Sequence, residues 1–299
     1  MKSLDQVISF VVAARHRSFA GAARELGLSP SAVAKNVARF EGGLGVRLFH
    51  RTTRQVTLTA DGETLFERCA RILAEVEALE VTAEGRQAEP RGVLRIDLPR
   101  AYGRRVVVPV IAQLTERYVQ LEVDARFSDR HVDLINDGLD AAVRIGGLAD
   151  SGLVARPIDE QILILFASPA YLARAGTPRT PADLGDHRCI RYRLPTSGRL
   201  RPWEFRSGRR TLQLDIASPM QLNDGDALVH AALAGAGIVQ APSYMVEEAL
   251  ANGELVELLA EYRRPPMPIS VVYPSQRQVP LRVRALIDAL VAARDNRGG

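Results

Sequence analysis

The sequence predicts a mixed α/β protein in three parts: a small helical unit, one long helix, and a larger region of alternating strands and helices. Three observations carry this. Two short helical patterns meet at Gly27 and Ser29-Pro30, a 3.5-residue apolar repeat starts at Leu65, and from Val93 onward β-rich runs alternate with helical ones. At 299 residues the chain can hold two or three domains with sizeable cores. Its 46% hydrophobic and 25% charged residues are those of a soluble globular protein.

Leu4, Val7, Phe10, Val11 and Ala14 mark a first helix. Ser18 to Leu26 reads as a second, packed through Phe19, Ala22, Ala23 and Leu26, and Gly27 is free to take the left-handed conformation that stops it. Ser29-Pro30 restarts the chain: serine accepts from the open N–H groups of the next turn, and proline suits the first helical position. Val33, Val37 and Phe40 anchor this third helix, which leaves Ser31, Lys35 and Arg39 on the opposite face. Arg51 to Thr59 reads as strand, turn and strand with arginines at the turn. Together these make a winged helix-turn-helix over residues 1–58, suited to a major groove with Arg51 and Arg54 on phosphates or in the minor groove. Charge agrees. Nine basic and three acidic residues fall in the first 60, against 30 basic and 32 acidic in the rest.

Thr59 caps the long helix, with Asp61 and Glu63 in its favourable first turn. Leu65, Cys69, Ile72, Val76 and Leu79 then alternate spacings of four and three, which favours a two-chain seam over a helix lying on its own domain. Residues 83–91 lose the periodicity and contain Gly85 and Pro90, so 59–91 is linker helix and hinge.

Beyond the hinge, strands are expected at Val93–Leu98, Leu121–Phe127, Asp140–Ile145 and Ile162–Ala167, with later ones at Leu212–Ile216, Gly237–Ala241 and Ile269–Tyr273. Helices are expected at Val106–Tyr118, Val132–Asp137, Pro169–Ala175, Asp226–Ala234, Tyr244–Asn252 and Pro280–Arg294. Such alternation predicts a parallel sheet. Residues 92–299 then form two α/β units, the first about 92–161 and 267–299, the second about 162–266, with a cleft between them.

The chain resembles the LysR-type transcriptional regulators. The resemblance rests on Ser18-Phe19, Ala22-Ala23, Leu26, Ser29, Leu44-Gly45, Leu48-Phe49, Arg51, Leu58-Thr59 and Gly62. It continues through Arg95, Pro99, Pro109, Asp133-Leu134, Asp140, Arg144-Ile145-Gly146, Ser168-Pro169, Tyr171-Leu172, Trp203, Gly235 and Gly237. It implies a dimer that reads a pseudo-palindromic DNA operator, higher assembly to a tetramer, and a periplasmic-binding-protein-like effector domain. Ser29, Pro30, Ser31, Ala34, Lys35, Arg39, Arg51, Thr52 and Arg54 are the implied DNA contacts. Pro30 stands where relatives often carry glutamine, and Ala34 where they often carry serine, so the operator cannot be borrowed from them. The places that line the inducer pocket in relatives are held here by Pro99, Arg100, Ala101 and Tyr102, then Ser128, Arg144, Gly146, Tyr192 and Asn223. Strand ends, helix starts and arginines there favour a small organic anion such as a carboxylate.

The rival is a ligand-binding α/β protein or enzyme without a DNA function. No nucleophile-elbow, dinucleotide or phosphate-loop pattern is present. His16, His50, His131, His187 and His230 are dispersed, Asp129 and Asp133 flank an arginine, and His187-Arg188-Cys189 offers only two ligands, so no metal, cofactor or catalytic group is expected. Cys69 and Cys189 lack disulfide or CxxC spacing, no secretory pattern opens the chain, and no segment approaches ~18 apolar residues. A cytoplasmic protein without a membrane partner is expected.

Overall fold

The computed structural model describes residues 4–51, 56–83, 89–130, 132–134, 137–147, 152–208, 210–275 and 279–297. Helix α1 (Leu4–His16) packs on α2 (Phe19–Leu26) and α3 (Pro30–Leu44). The capping chemistry is as the residues dictate. Ser18 Oγ accepts the Gly21 N–H at 3.1 Å and Ser29 Oγ that of Ala32 at 3.2 Å, while Gly27 takes φ 63°. Phe10 centres the core, with the rings of Phe40, Phe49 and Phe66 at 5.6, 5.5 and 6.5 Å.

The wing is the hairpin β1 (Phe49–Arg51) and β2 (Val56–Leu58), whose tip, 52–55, lies outside the described residues. Glu41, near the end of α3, is 5% exposed and accepts the N–H groups of Leu48 at 2.9 Å and Phe49 at 3.3 Å through Oε1. One carboxylate therefore ties α3 to the wing.

Thr59 Oγ1 accepts the Gly62 N–H at 2.9 Å at the start of α4 (Ala60–Ala83). A side chain at Gly62 would put a Cβ 2.1 Å from the Leu48 carbonyl oxygen, so only glycine lets this helix rest on the wing. The apolar repeat of α4 divides in two. Leu65 and Cys69, with Phe66, turn into the helix-turn-helix core of their own chain, whereas Ile72 is 52% exposed and Val76 half-buried. The side chain of Leu79 lies outside the described residues.

Two five-stranded sheets follow. The first takes β3 (Gly92–Leu98), β4 (Leu121–Phe127), β5 (Ala141–Ile145), β6 (Leu153–Gln161) and the late β14 (Met267–Pro274), in the order β4-β3-β5-β14-β6. Strand β3 runs parallel to β4 and β5, but β14 is antiparallel to β5 and β6, so the sheet is mixed rather than parallel. Between β3 and β4 the chain passes through α5 (Arg100–Tyr102), a π segment (Gly103–Val107) and α6 (Val108–Arg117). Of the helix expected at 132–137, residues 135 and 136 lie outside the described residues; Asp137 N–H donates to Asp133 O, and Gly138 takes φ 65° before the buried Leu139.

The second sheet takes β7 (Leu163–Ala167), β8 (Cys189–Tyr192), β11 (Met220–Leu222), β12 (Ile238–Pro242) and β13 (Val256–Leu258), ordered β11-β8-β12-β7-β13. A separate hairpin, β9 (Trp203–Ser207) with β10 (Arg210–Leu214), buries Trp203 and Phe205 against it. Helix α7 (Pro169–Ala175) follows β7, α8 (Gly225–Leu233) precedes β12, α9 (Glu247–Ala251) precedes β13, and α10 (Leu281–Arg297) returns to the first sheet.

The helical unit touches the first α/β lobe. Glu25 of α2 accepts Arg95 of β3 and also pairs with His16. Gly138 lets Arg15 approach closely, a Cβ there falling 2.8 Å from Arg15 Cγ.

Candidate functional site

On α3, Val33, Val37 and Phe40 are buried and Asn36 Nδ2 donates to Ser9 Oγ on α1 at 3.0 Å, which fixes the helix's rotation. Pro30, Ser31, Lys35 and Arg39 are consequently exposed and Ala34 half-buried, while the capping Ser29 reaches Ser31 Oγ at 3.0 Å. Lys35 and Arg39 have no acidic partner among the described residues, so their charge is available to an anionic polymer. Arg51 ends β1; its side chain, Thr52 and Arg54 lie outside the described residues.

The second site is a cleft of ≈ 230 Å³ between the two sheets. Its first wall brings together Pro99, Arg100, Ala101, Tyr102, Ser128 and Arg144, six of the positions the resemblance singles out. Its second holds Tyr192, also expected, with Arg201, Asp224, Gln240 and Tyr244, which are not. Gly146 and Asn223 do not line it. Gly146 turns the chain at φ 92° after Ile145, which does, and Asn223 is exposed beside Asp224, whose Oδ1 caps α8 on the Ala227 N–H at 3.0 Å.

Three tyrosines shape the cavity. Tyr102 and Tyr244 meet edge-on at 5.4 Å; Tyr102 donates to Asp159 Oδ2 at 2.9 Å and Tyr244 to Gln161 Oε1 at 3.1 Å. Burial raises the pKa of all three, and that of Tyr192 is pushed up to about 12 with help from the Asp129 charge. Each therefore offers a neutral hydroxyl and an apolar ring.

The cations differ in their engagement. Arg104 and Arg105 both pair with Asp226 across the cleft's mouth, and Thr196 Oγ1 also bridges the walls to Asp129 O. Arg144 Nη1 donates to the buried Asp97 at 2.9 Å; burial lifts that carboxyl's pKa against the opposing pull of Arg144. Arg201 stands apart. Its guanidinium lies 5.6 Å from the Tyr192 ring centre, has no carboxylate partner among the described residues, and has its pKa lowered by burial. Glu204, the nearest acid on its own segment, is taken by Arg264. Arg201 was illegible because it lies in a loop, where no periodicity marks orientation.

Among the described residues no three His, Cys, Asp or Glu side chains gather as metal ligands. Cys189 is buried and its thiol pushed up to about 12 by that burial.

Residues 4–63 match the bacterial regulatory helix-turn-helix protein, lysR family, and residues 87–295 the LysR substrate binding domain. The chain belongs to the LysR family of transcriptional regulators. DmlR of Escherichia coli is 36% identical over 96% of this chain and 93% of its own. CrgA of Neisseria meningitidis is 35% identical, with 96% and 95% covered. The solved structure of CrgA aligns over 98% of both chains at a TM-score of 0.63, and that of the Vibrio cholerae virulence activator AphB over 97% and 99% at 0.60 with 25% identity. This LysR regulator is therefore a DNA-binding transcription factor with an effector domain, not an enzyme. Like its family it binds DNA and a small-molecule effector, and it oligomerises. No helix among its described residues is long and apolar enough to cross a membrane.

Proposed function

We propose that this regulator reads a pseudo-palindromic operator in the cytoplasm as a homodimer, or as a tetramer built from two, and that a small organic anion in the cleft sets its DNA affinity. The DNA contacts are Ser29, Pro30, Ser31, Ala34, Lys35 and Arg39 of α3, with Arg51, Thr52 and Arg54 of the wing. Pairing of two chains falls to the outer part of the α4 stripe, where Ile72 is left exposed and Val76 half-buried, with Leu79 next along the repeat, while Leu65 and Cys69, expected in the seam, fill the core of their own chain. Residues 1–58 thus read DNA, 59–91 pair the chains, and 92–299 sense the effector.

The observation that carries the anion is Arg201, a cleft guanidinium over the Tyr192 ring with no carboxylate partner among the described residues. Charge-assisted hydrogen bonds to an incoming carboxylate would satisfy it, with Arg100 and Ser128 opposite. At ≈ 230 Å³ the cavity falls below the ~300–1,000 Å³ typical of drug-sized ligands, so the effector is metabolite-sized. To regulate, it must bind one DNA-competent state better than another.

A thermal-shift screen of small carboxylates tests this, because a ligand that binds only the folded protein stabilises it by RT ln(1 + [L]/Kd), ~2.7 kcal/mol at a hundredfold excess. The expected hit loses its effect in Arg201→Leu and changes operator affinity in gel shifts. A cationic or neutral hit would refute the anion.

A further inference from the structure

Two polar atoms of the cleft residues are buried without a hydrogen-bond partner among the described residues: Gln240 Oε1 and Arg144 Nη2. Gln240 is 7% exposed and sits in β12, which is paired on both sides, by β8 and β7. Its strand neighbours are the buried Val239 and Ala241, and the residue beside it on β7 is Leu165, so the strand itself supplies no donor. A polar side chain at a central, otherwise apolar strand position invites a reason, since buried polar atoms are almost always satisfied. Arg144 is on the opposite wall, in β5, with only its Nη1 engaged.

These two atoms ask for different things. Arg144 Nη2 is a donor and suits an anionic oxygen. Gln240 Oε1 is an acceptor, and a bare carboxylate would bring it only repelling lone pairs. Building on the anion reading of the cleft, we propose that the effector carries a hydroxyl or amine donor beside its carboxylate, that Gln240 accepts this donor, and that Arg144 holds the acid from the other lobe. The effector class is thus hydroxy- or amino-substituted carboxylates rather than plain acids. A site built to bond a hydroxyl discriminates strongly against the analogue lacking it, because the protein group is then left unpaired.

The test uses the full-length protein, calorimetric titration, and three pairs differing by one hydroxyl: propanoate and lactate, benzoate and 2-hydroxybenzoate, phenylacetate and mandelate. The expected result is at least one pair in which the hydroxylated member binds tenfold or more tightly. In Gln240→Leu that ratio should fall within twofold while the plain acid still binds; in Gln240→Glu, whose charge repels the acid but which still accepts, both members should weaken while the preference survives. A ligand-free reading accompanies it: Gln240→Leu removes an unsatisfied acceptor, so the melting temperature of the unliganded protein should rise by a few degrees. Plain acids bound without preference, or a preference that persists in Gln240→Leu, would overturn the donor proposal and leave the anion reading standing. A fall in melting temperature for folded Gln240→Leu would also overturn it, showing the acceptor already satisfied. If none of the six binds the wild type while its operator affinity is intact, the anion reading fails and this inference with it.

Discussion

Replacing Glu41 should unfasten the wing from the reading helix. Both bonds from the wing, the Leu48 and Phe49 N–H groups, end on one oxygen, Oε1, in a side chain 5% exposed. Glu41→Gln keeps an oxygen there and loses only the charge, which lowers two bonds from charged to neutral strength, roughly 1–2 kcal/mol in all. Glu41→Ala orphans both N–H groups at ~1–3 kcal/mol each, hence roughly 2–6 kcal/mol, and leaves a small void. For a domain of about 60–100 residues each kcal/mol lowers the melting temperature by about 4–8 °C, so the alanine variant should bring the helix-turn-helix close to unfolding at growth temperature. The single tryptophan, Trp203, lies in the second lobe, so its fluorescence follows that lobe alone while circular dichroism follows every helix. Urea titrations read by both probes isolate the N-terminal transition. It should move in the order wild type, Gln, Ala while the tryptophan transition stays in place, and operator affinity should fall in the same order. Equal costs for the two variants, or an alanine cost under ~1 kcal/mol, would show that the carboxylate does not hold the wing.

Lys35→Ala should weaken operator binding by ~1–3 kcal/mol and relax one base position, whereas Arg39→Ala, if it meets phosphate, should weaken all sequences alike and lower the salt slope by about 1; gel shifts at two salt concentrations separate them. Ile72→Asp should shrink the species seen by sedimentation at unchanged folded stability, and a wild-type assembly would exclude α4 as the seam. Burial alone would raise the pKa of Asp140, but the charge and hydrogen bonds of Arg282, with Arg15 and the Arg95 N–H, hold it below the usual carboxylate range. Its stabilising contribution is therefore present above the unfolded value of ~3.9 and is lost as pH falls through the folded one. Asp140→Asn should flatten acid unfolding in that window, and an unchanged acid limb would refute the pairing. Cys69 and Cys189 are both buried, so an aromatic disulfide reagent should label neither in the native protein at pH 8 and both in urea; rapid native labelling would contradict that packing.

The helix-turn-helix was legible because its signals are local: Ser18, Gly27 and Ser29-Pro30 act within one or two turns of where they sit. The first lobe was harder. Strand β6, Leu-Val-Ala-Arg-Pro-Ile-Asp-Glu-Gln, shows no clear alternation because it is an edge strand that pairs only with β14, more than a hundred residues away. The same distance hid the mixed direction of the sheet. The apolar repeat of α4 was visible, but a 3.5-residue spacing does not say whose core it fills, and Leu65 and Cys69 fill their own. In the cleft, residues at strand ends and turns, Arg100, Ser128 and Tyr192, could be placed from the sequence. Gln240, inside a buried strand, and Arg201, in a loop, could not, since their surroundings come from elements distant in the chain.

Strand β14 has a consequence for synthesis. It lies inside the first sheet, between β5 and β6, yet it is residues 267–274 that fill this place. Until the ribosome has delivered them, β5 and β6 present open edges and the apolar rows that α10 will cover are bare. At about 5–20 residues per second, the wait between finishing β3 and finishing β14 is roughly 9–35 s. The helix-turn-helix and α4, complete by residue 83, hold their apolar core within themselves and lack only the later Arg95 contact to Glu25, so on the proposed α4 seam they can meet a partner first. Pairing of nascent chains can therefore precede sensing: a premature stop before residue 267 should leave a polypeptide able to occupy operators and to draw full-length copies into mixed dimers deaf to effector. Nonsense alleles in this gene should consequently act dominantly when they fall between residues 84 and 267, and recessively when they fall before α4.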